Sequence, residues 1–249
     1  MPIPVWLLRL GFLALLVGFW SLMAEIAPRN IVPTPLATAE AFLRLWREGR
    51  LGMALGDSLG VYLGGLGAAV LVGIPLGVAM GTWRPFGQTL DIFVYALAAT
   101  PRVAFIPLVI VVLGLGVEAK AFIVFLGAVM PIILNTYAGV QAADGDLVEM
   151  AASTGASKPR IFAHVVLPGA LPFLIVGLRL GATIGLINTV VAELYTAVKG
   201  LGGLLTIYGN TFRMAEYFAV VLTLSLVGVT VSEGLRLIEK RLSRWRTGG

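Results

Sequence analysis

The sequence predicts an all-α membrane protein with six transmembrane helices, on three observations. Hydrophobic residues make up 58% of the 249 positions and charged residues only 12%, whereas soluble domains carry about 25% charged residues. The mean hydropathy is correspondingly high, at +0.95. The apolar residues form stretches long enough to cross a bilayer as helices, and shorter segments with Gly, Pro or charged residues separate them.

Composition also excludes several classes of function. The chain has no Cys and one His, which excludes disulfides, cysteine nucleophiles and His-rich metal sites. The net charge of +5 comes partly from a C-terminal cluster and is typical of a membrane topology signal, not of nucleic-acid binding. No Walker A pattern (GxxxxGK followed by Ser or Thr) occurs. The most similar stretch, residues 199–203, has its lysine before the glycines instead of after them. If ATP drives this protein, another chain hydrolyses it, and we predict neither catalytic residues nor a cofactor in this one.

Residues 1–33 form the predicted N-terminal transmembrane helix. A signal peptide is the alternative, but the start lacks a basic region and residues 24–27 make a poor cleavage site. Residues 34–50 follow as an amphipathic helix in the membrane interface, capped by Thr34, begun by Pro35 and ended by Gly49. Its apolar face carries Leu36, Ala39, Phe42, Leu43 and Trp46. Its polar face stacks Glu40, Arg44 and Glu48 at a spacing of four residues.

Residues 54–239 are the predicted core of five further transmembrane helices, and the basic tail 240–249 follows. The five spans cover 58–81, 87–115, 119–140, a stretch that begins after Pro168 and Pro172, and 218–238. The loop 199–217 is predicted to be re-entrant or interfacial. Small residues at a spacing of four let helix backbones approach closely in lipid. The second span has such glycines at Gly60, Gly64, Gly73, Gly77 and Gly81, and the fifth span has them at Gly177, Gly181 and Gly185.

The third span is predicted to be broken near its middle, where Pro101 precedes Arg102 and Pro107 follows. Proline removes a backbone donor and keeps the preceding residue out of the helix, so carbonyls become free at membrane depth. Such a break is tolerated where protein or a water-filled cavity surrounds it. Arg102 either pairs with a carboxylate or with these carbonyls, or it lines a polar transport path. The sequence leaves both alternatives open.

Four other polar residues are predicted to lie within spans. Asn135 is expected to form an interhelical hydrogen bond. Arg179, Asn188 and Glu193 lie at three depths of the fifth span, either as contacts that hold the bundle together or as a graded path. Together with Arg102, these residues are the candidates for a translocation path.

The stretch 146–172 is the longest charged interruption between two apolar segments in the second half of the chain. Asp146 is predicted to cap a short helix that ends in a left-handed turn at Gly155. Ser157 is predicted to cap a second short helix with Pro159 in its first turn. These helices are too polar to span a bilayer and too apolar to be free in water. They either contact a partner surface or pack on their own membrane domain.

This coupling loop, with predicted bounds 144–167, resembles the EAA loop of ABC-importer permeases. The resemblance rests on Glu149-Met150-Ala151, on Gly155 four positions later and on Val165-Val166-Leu167-Pro168. Met150 stands where the family usually has Ala. In that family the loop is the coupling helix pair that sits in a groove of the ATPase subunit. The implied ATPase-coupling residues are Glu149, Met150, Ala151, Gly155, Ser157, Lys158, Leu167 and Pro168.

Further motifs fall in the order seen in permeases for nitrate, sulfonates and taurine. They are Pro101-Arg102-Val103-Ala104, Gly114-Leu115-Gly116, Gly139-Val140, Leu171-Pro172, Gly177-Leu178-Arg179 and Ala192-Glu193. The resemblance covers nearly the whole chain, from about residue 32 onward. It implies the permease fold of a type I ABC importer, with six transmembrane helices and cytoplasmic coupling helices.

The same resemblance implies a set of partners. These are a second permease copy, two ATPase subunits that bind ATP and Mg, and a periplasmic or lipid-anchored binding protein. That protein would deliver a small solute, such as a nitrate-, sulfonate- or taurine-like anion, and the permease pair would move it by alternating access across the bacterial cytoplasmic (inner) membrane.

The distribution of positive charge agrees with this placement in the membrane. Nine Lys and Arg fall on the side of the termini, seven on the other and two within the membrane, which favours cytoplasmic N- and C-termini.

Two other classes of function are open to a membrane protein of this composition. An ATP-independent carrier or channel would use the broken spans as a midplane site, but the chain has no repeated half. A rhomboid-like intramembrane protease needs a Ser in a Gly-x-Ser-Gly turn and a His in another span. No such turn occurs, and His164, the only His, lies in the coupling loop. The sequence therefore favours a permease subunit that is not itself an enzyme.

Overall fold

The computed structural model describes residues 4–28, 31–196 and 199–242, and every regular element in these ranges is a helix. The α-helices are α1 (Val5–Ile26), α2 (Pro35–Arg47), α3 (Arg50–Thr82), α4 (Arg84–Ala99), α5 (Ile106–Leu113), α6 (Val117–Gln141), α7 (Gly145–Ser153), α8 (Lys158–Ile161), α9 (Leu167–Thr196), α10 (Leu201–Asn210) and α11 (Met214–Leu242). A 3-10 turn, Arg102–Phe105, precedes α5, and a π-helical turn, Phe162–Val166, joins α8 to α9. The all-α prediction is confirmed. Residues 243–249 of the predicted basic tail lie outside the described residues.

Among the described residues, five helical stretches are long and apolar enough to cross a membrane. They are Val5–Ile26, Arg50–Thr82, Val117–Gln141, Lys158–Thr196 and Met214–Leu237. A sixth crossing arises if α4 and the segment Arg102–Leu113 together form one broken span. The axes of these two helical segments differ by 82° at the break between them. Thr100, just before Pro101, is extended, with φ −71° and ψ 133°, because the proline ring excludes the helical conformation there. The predicted break in the third span is confirmed.

The chain divides into two compact units, one of Met1–Ser58 with Thr196–Leu226 and the other of Leu59–Tyr195 with Val227–Gly249. In the second unit α6 is the central helix. Half of its most apolar window is buried, against 28% for α3 and 22% for the stretch that contains α9. One apolar cluster of this unit therefore draws heavily on α6, and its buried members are Ala69, Met80, Val94, Ala128, Val129, Ile132, Ile133 and Tyr137.

Glycines bring α3 and α9 into close contact with α6. A Cβ added at Gly77 of α3 would lie 2.6 Å from the Cβ of Thr136, and one added at Gly181 of α9 would lie 2.9 Å from the carbonyl oxygen of Ala128. Gly73, Gly81 and Gly177 are similarly close to α6. The predicted close packing is confirmed for these positions, but it is wrong for Gly60 and Gly64. Both are exposed and have no heavy atom near their missing Cβ, because they lie on the opposite face of α3.

In the first unit, Trp20 anchors α1 by an aromatic contact. Trp20 stacks on Phe218 of α11, with ring centroids 5.7 Å apart. Its indole Nε1 also donates a hydrogen bond of 2.9 Å to the carbonyl of Pro33. Most other apolar side chains of α1 are exposed. In a bilayer those side chains contact lipid, which solvates them as well as a protein core would.

The beginning and end of α2 agree with the predicted signals. The Thr34 side chain accepts a hydrogen bond of 3.2 Å from the N–H of Ala37, and Pro35 occupies the first helical position. Gly49 has a positive φ of 74° and follows the last turn. These caps are confirmed, since each depends only on residues close by in the chain.

The two faces of α2 differ from a simple amphipathic pattern. Its buried residues are Thr38, Ala41 and Leu45, whereas Leu36, Leu43 and Trp46 of the predicted apolar face are at least half exposed. The predicted stack of Glu40, Arg44 and Glu48 is wrong. Arg44 instead pairs with Glu216 of α11 at 2.6 Å, and Glu48 pairs with Arg50. The apolar face is thus free to meet lipid, as an interfacial helix requires.

Glu216 is the centre of this polar contact, because its Oε1 accepts hydrogen bonds from both Arg44 and Arg213, each at 2.6 Å. The bond to Glu216 raises the pKa of the Arg213 guanidinium. We expect Glu216→Gln to lower the free energy of unfolding by about 1 kcal/mol or less, since both arginines are substantially exposed and screened by solvent. Thermal unfolding in detergent measures this. Glu233→Gln, which breaks an exposed pair with Arg236, is the control and should change nothing measurable.

Candidate functional site

The coupling loop begins at α7, whose cap is Asp144 and not Asp146. The Asp144 carboxylate accepts hydrogen bonds from the N–H groups of Asp146 and Leu147, at 3.0 and 3.4 Å. The predicted cap at Asp146 is therefore wrong by two residues. Asp144 is extended and stands just outside the helix, whereas Asp146 lies in its first turn, where a carboxylate still favours the helix dipole.

A left-handed glycine ends α7. Gly155 has a φ of +80°, as predicted. Its N–H donates to the carbonyl of Ala152 at 3.0 Å, and the N–H of Ala156 donates to the carbonyl of Ala151 at 3.2 Å. These two bonds satisfy the last carbonyls of the helix and reverse the chain direction. Ser157 then occupies the N-cap position of α8, although its side chain makes no capping bond.

The second short helix is not a separate element. The chain passes from α8 through the π-helical turn into α9, so that Lys158–Thr196 is one candidate span. Leu167 donates its N–H to the carbonyl of Phe162, five residues back. This wider turn accommodates Pro168, which has no N–H to offer. The helix that contains the fifth span therefore begins before Pro168, and the coupling loop is continuous with α9.

The coupling loop has no buried residue in α7, α8 or the π-helical turn. Leu147 and Met150 are 46% and 60% exposed. Together they form one wall of a groove of about 370 Å³, and the start of α9 forms the other. The residues that line this groove are Leu147, Met150, Ala151, His164, Val165, Pro168 and Gly169. Of the other predicted coupling residues, Glu149, Gly155, Ser157 and Lys158 are exposed and Leu167 is half-buried.

A second site lies at the break of the third span, around Arg102. Its Nη1 donates a hydrogen bond of 3.0 Å to the carbonyl of Gly127 on α6, and its Nη2 donates one of 3.2 Å to the carbonyl of Ala98 on α4. Its Nε is buried and makes no hydrogen bond. Arg102 and Asn188 of α9 both line a narrow cleft between these elements. The amide of Asn188 packs directly on Gly127, in space that a Cβ there would occupy.

The other predicted path residues are not gathered at this cleft. Asn135 donates to the carbonyl of Pro131 in its own helix, at 2.8 Å, so the expected interhelical bond is wrong. Arg179 forms an ion pair with Glu239 near the end of α11. Glu193 is fully buried. Of the five candidates, the structure brings only Arg102 and Asn188 together.

Comparison with known proteins decides the family. Residues 70–244 match the family described as "Binding-protein-dependent transport system inner membrane component". The chain belongs to this family. It is 30% identical to the taurine transport system permease protein TauC of Escherichia coli (strain K12), over 96% of this chain and 89% of that one. It is 34% identical to the putative aliphatic sulfonates transport permease protein SsuC of the same strain, over 98% and 95%.

Solved structures of ABC transporters share the fold. An inward-facing structure of the MetNI methionine ABC transporter matches with a TM-score of 0.65 at 19% identity, covering 75% of this chain and 93% of that one. A crystal structure of an amino acid ABC transporter matches with a TM-score of 0.66 at 19% identity, covering 80% and 98%. The type I importer fold is thus confirmed. This ABC importer permease is a multi-pass membrane protein and a transport subunit, not an enzyme.

Sequence reasoning missed the burial of Lys120 in this permease. Lys120 of α6 is only 4% exposed. Its neighbour Ala119 packs in the same cluster as Ala192, the neighbour of Glu193. Both Lys120 and Glu193 have interaction partners. The signal that was available is a lysine within the first turn of a strongly apolar span, where burial requires compensation.

Proposed function

We propose that this permease receives a small organic anion of the sulfonate class from an external binding protein. Two copies of the chain would translocate the anion, and two ATPase subunits that bind ATP and Mg would drive them. The proposed location is the cytoplasmic (inner) membrane, with both termini and the coupling loop on the cytoplasmic side. The names of the related proteins, for taurine and aliphatic sulfonates, support this substrate class.

The observation that carries the ATPase contact is the exposed apolar surface of the coupling loop. Leu147 and Met150 of α7 are exposed beside a groove, and α7 is not part of any candidate membrane span. Exposed apolar patches rimmed by polar residues are typical of protein interaction sites. An amphipathic helix that presents such anchors fits a groove of a partner protein.

The ion pair between Arg179 and Glu239 supports the proposed orientation. It joins the first half of α9 to the last turn of α11. The coupling loop before α9 and the end of α11 therefore lie toward the same side of the membrane. In the sequence, the basic cluster Lys240, Arg241, Arg244 and Arg246 comes directly after Glu239, and basic residues favour the cytoplasm.

We also propose that the transport path passes the cleft at the break of the third span. Arg102 brings a positive charge to membrane depth there, and Asn188 adds an amide. A cation in a low-dielectric wall attracts an anion. The other candidates are less suited, since Asn135 bonds its own helix and Arg179 already has an acidic partner.

The ATPase contact is tested by Met150→Glu. A charge placed on the exposed apolar face should weaken the contact by about 2 kcal/mol or more, the value expected of an anchoring residue. Co-purification of the ATPase subunit with tagged permease from detergent measures the effect, and we expect a loss of about tenfold or more. Asn210→Glu is the matched control, because it adds the same charge at an exposed position at the end of α10, outside the coupling loop and the candidate spans. Full ATPase recovery with Met150→Glu would reject the docking role.

A further inference from the structure

We infer that Arg102 is a positioning residue that replaces a hydrogen-bond donor removed by Pro131 and so holds the broken span against α6. The inference concerns how the cleft is built. It goes beyond the proposed function and does not depend on the substrate. Three observations at the cleft carry it: two concern carbonyls that lack their normal backbone donor, and the third concerns the packing around them.

The first observation is the carbonyl of Gly127. In an α-helix this oxygen accepts from the N–H four residues later, which is position 131. Position 131 is a proline inside α6 and has no N–H. The Arg102 guanidinium supplies the missing donor from another element, with Nη1 at 3.0 Å from the Gly127 oxygen. Gly127 lies near the middle of the candidate span Val117–Gln141, and at such a position a carbonyl oxygen needs a donor from the protein.

The second observation is the carbonyl of Ala98, in the last turn of α4. A helix that continued would place the N–H of residue 102 on this oxygen. The break at Pro101 prevents that, since α4 ends at Ala99 and Thr100 is extended. The side chain of Arg102 takes the place of its own backbone N–H, with Nη2 at 3.2 Å from the Ala98 oxygen. One guanidinium therefore satisfies two carbonyls on two helices.

The third observation is the packing around these bonds. Gly127 has no side chain, and the amide of Asn188 fills the space beside it. The side chains of Ile106, Val109 and Ile123 close the remaining wall of the cleft. The two hydrogen bonds hold the Arg102 guanidinium in place, and the Asn188 amide fills the space beside Gly127. Arg102 thereby sets the distance between the broken span and α6, and with it the shape of the cleft.

The test uses thiols as local reporters, because the chain has no Cys. Ile123→Cys places one thiol at the cleft, where the native side chain is 5% exposed. We expect Arg102→Met to speed N-ethylmaleimide labelling of this thiol by about fivefold or more, since it leaves buried carbonyls without donors. Adding Pro131→Ala returns an N–H to the Gly127 carbonyl and should restore most of the protection. Arg102→Lys keeps the charge, but its single nitrogen cannot span both carbonyls as the guanidinium fork does, so we expect an intermediate rate.

Two controls make the result specific. Pro172→Ala removes a proline from α9 and should not restore protection in the Arg102→Met background. Ala69→Cys reports from the core cluster on α3, and its labelling should stay slow in every variant. No suppression by Pro131→Ala, equal suppression by Pro172→Ala, or faster labelling at both thiols would overturn the inference. Labelling needs no transport, so such a failure would leave the proposed function standing.

Discussion

Gly155→Pro should abolish ATP-driven uptake while the permease still inserts into the membrane. Gly155 has a φ of +80°, and proline is fixed near −65°. The proline also lacks the N–H that bonds the Ala152 carbonyl at the end of α7. Both effects disrupt the turn that sets the direction of α7 relative to α8, and they destabilise the local structure by about 3 kcal/mol or more. Uptake into proteoliposomes with ATPase and binding protein, beside the amount of permease in the membrane fraction, measures the outcome.

Gly155→Asn is the matched control for this turn. Asparagine enters the left-handed region more easily than other side chains and keeps the backbone N–H. A Cβ at this position would meet open space, so backbone conformation alone decides the result. We expect the Asn variant to keep most of the uptake. Normal uptake with Gly155→Pro would mean that the direction of α7 does not matter for coupling.

Gly77→Ala should destabilise the bundle strongly for a single added methyl group. Its Cβ would lie 2.6 Å from the Cβ of Thr136 and 2.8 Å from the carbonyl oxygen of Ile133. A backbone atom cannot move aside as a flexible side-chain tip does, so α3 must retreat from α6. Overpacking of this kind costs about 1–3 kcal/mol. Thermal unfolding of the purified permease in detergent should show a midpoint lower by several degrees.

Gly64→Ala separates this clash from the general effect of a glycine substitution. Gly64 lies on the same helix, but nothing stands within 4 Å of its missing Cβ. Alanine is also the better helix former by about 1 kcal/mol. We therefore expect Gly64→Ala to leave the midpoint unchanged or to raise it. Equal loss from both substitutions would show that helix flexibility, and not the contact with α6, is what the glycines provide.

The continuity of the coupling loop with α9 gives the proposed ATPase contact a direct route into the membrane. Lys158–Thr196 is one stretch of helix with a single π-helical turn. Gly177 and Gly181 hold α9 closely on α6. A rigid, closely packed helix transmits a displacement better than a loop does. We expect movement at α7 to reach the cleft around Asn188 along α9.

Several features of this permease could be predicted because they depend on covalent chemistry or on residues close by in the chain. Pro101 breaks the third span since it has no N–H and restricts Thr100. Gly155 takes a left-handed conformation since it has no Cβ. The thickness of the bilayer sets the minimum length of an apolar stretch that can cross it, so the membrane spans could also be predicted. The motif at Glu149 identified the family for the same reason, as a local order of residues.

Predictions of helix ends were wrong where two nearby residues could each serve as the helix boundary. Asp144 and Asp146 are both good caps, and only the path of the chain before α7 makes Asp144 the acceptor. Pro168 is normally a helix boundary, but the π-helical turn before it absorbs the missing donor. A pattern of residue types does not distinguish such alternatives, because they differ by small free energies.

The tertiary structure alone decided the partners of the polar side chains. Arg102 reaches Gly127, Arg44 reaches Glu216 and Arg179 reaches Glu239, and each pair is far apart in the sequence. The sequence by itself determined the helices, the break and the family. Which polar groups meet depends on how the helices pack, and in lipid that packing follows from glycine contacts and backbone donors distributed over the whole chain.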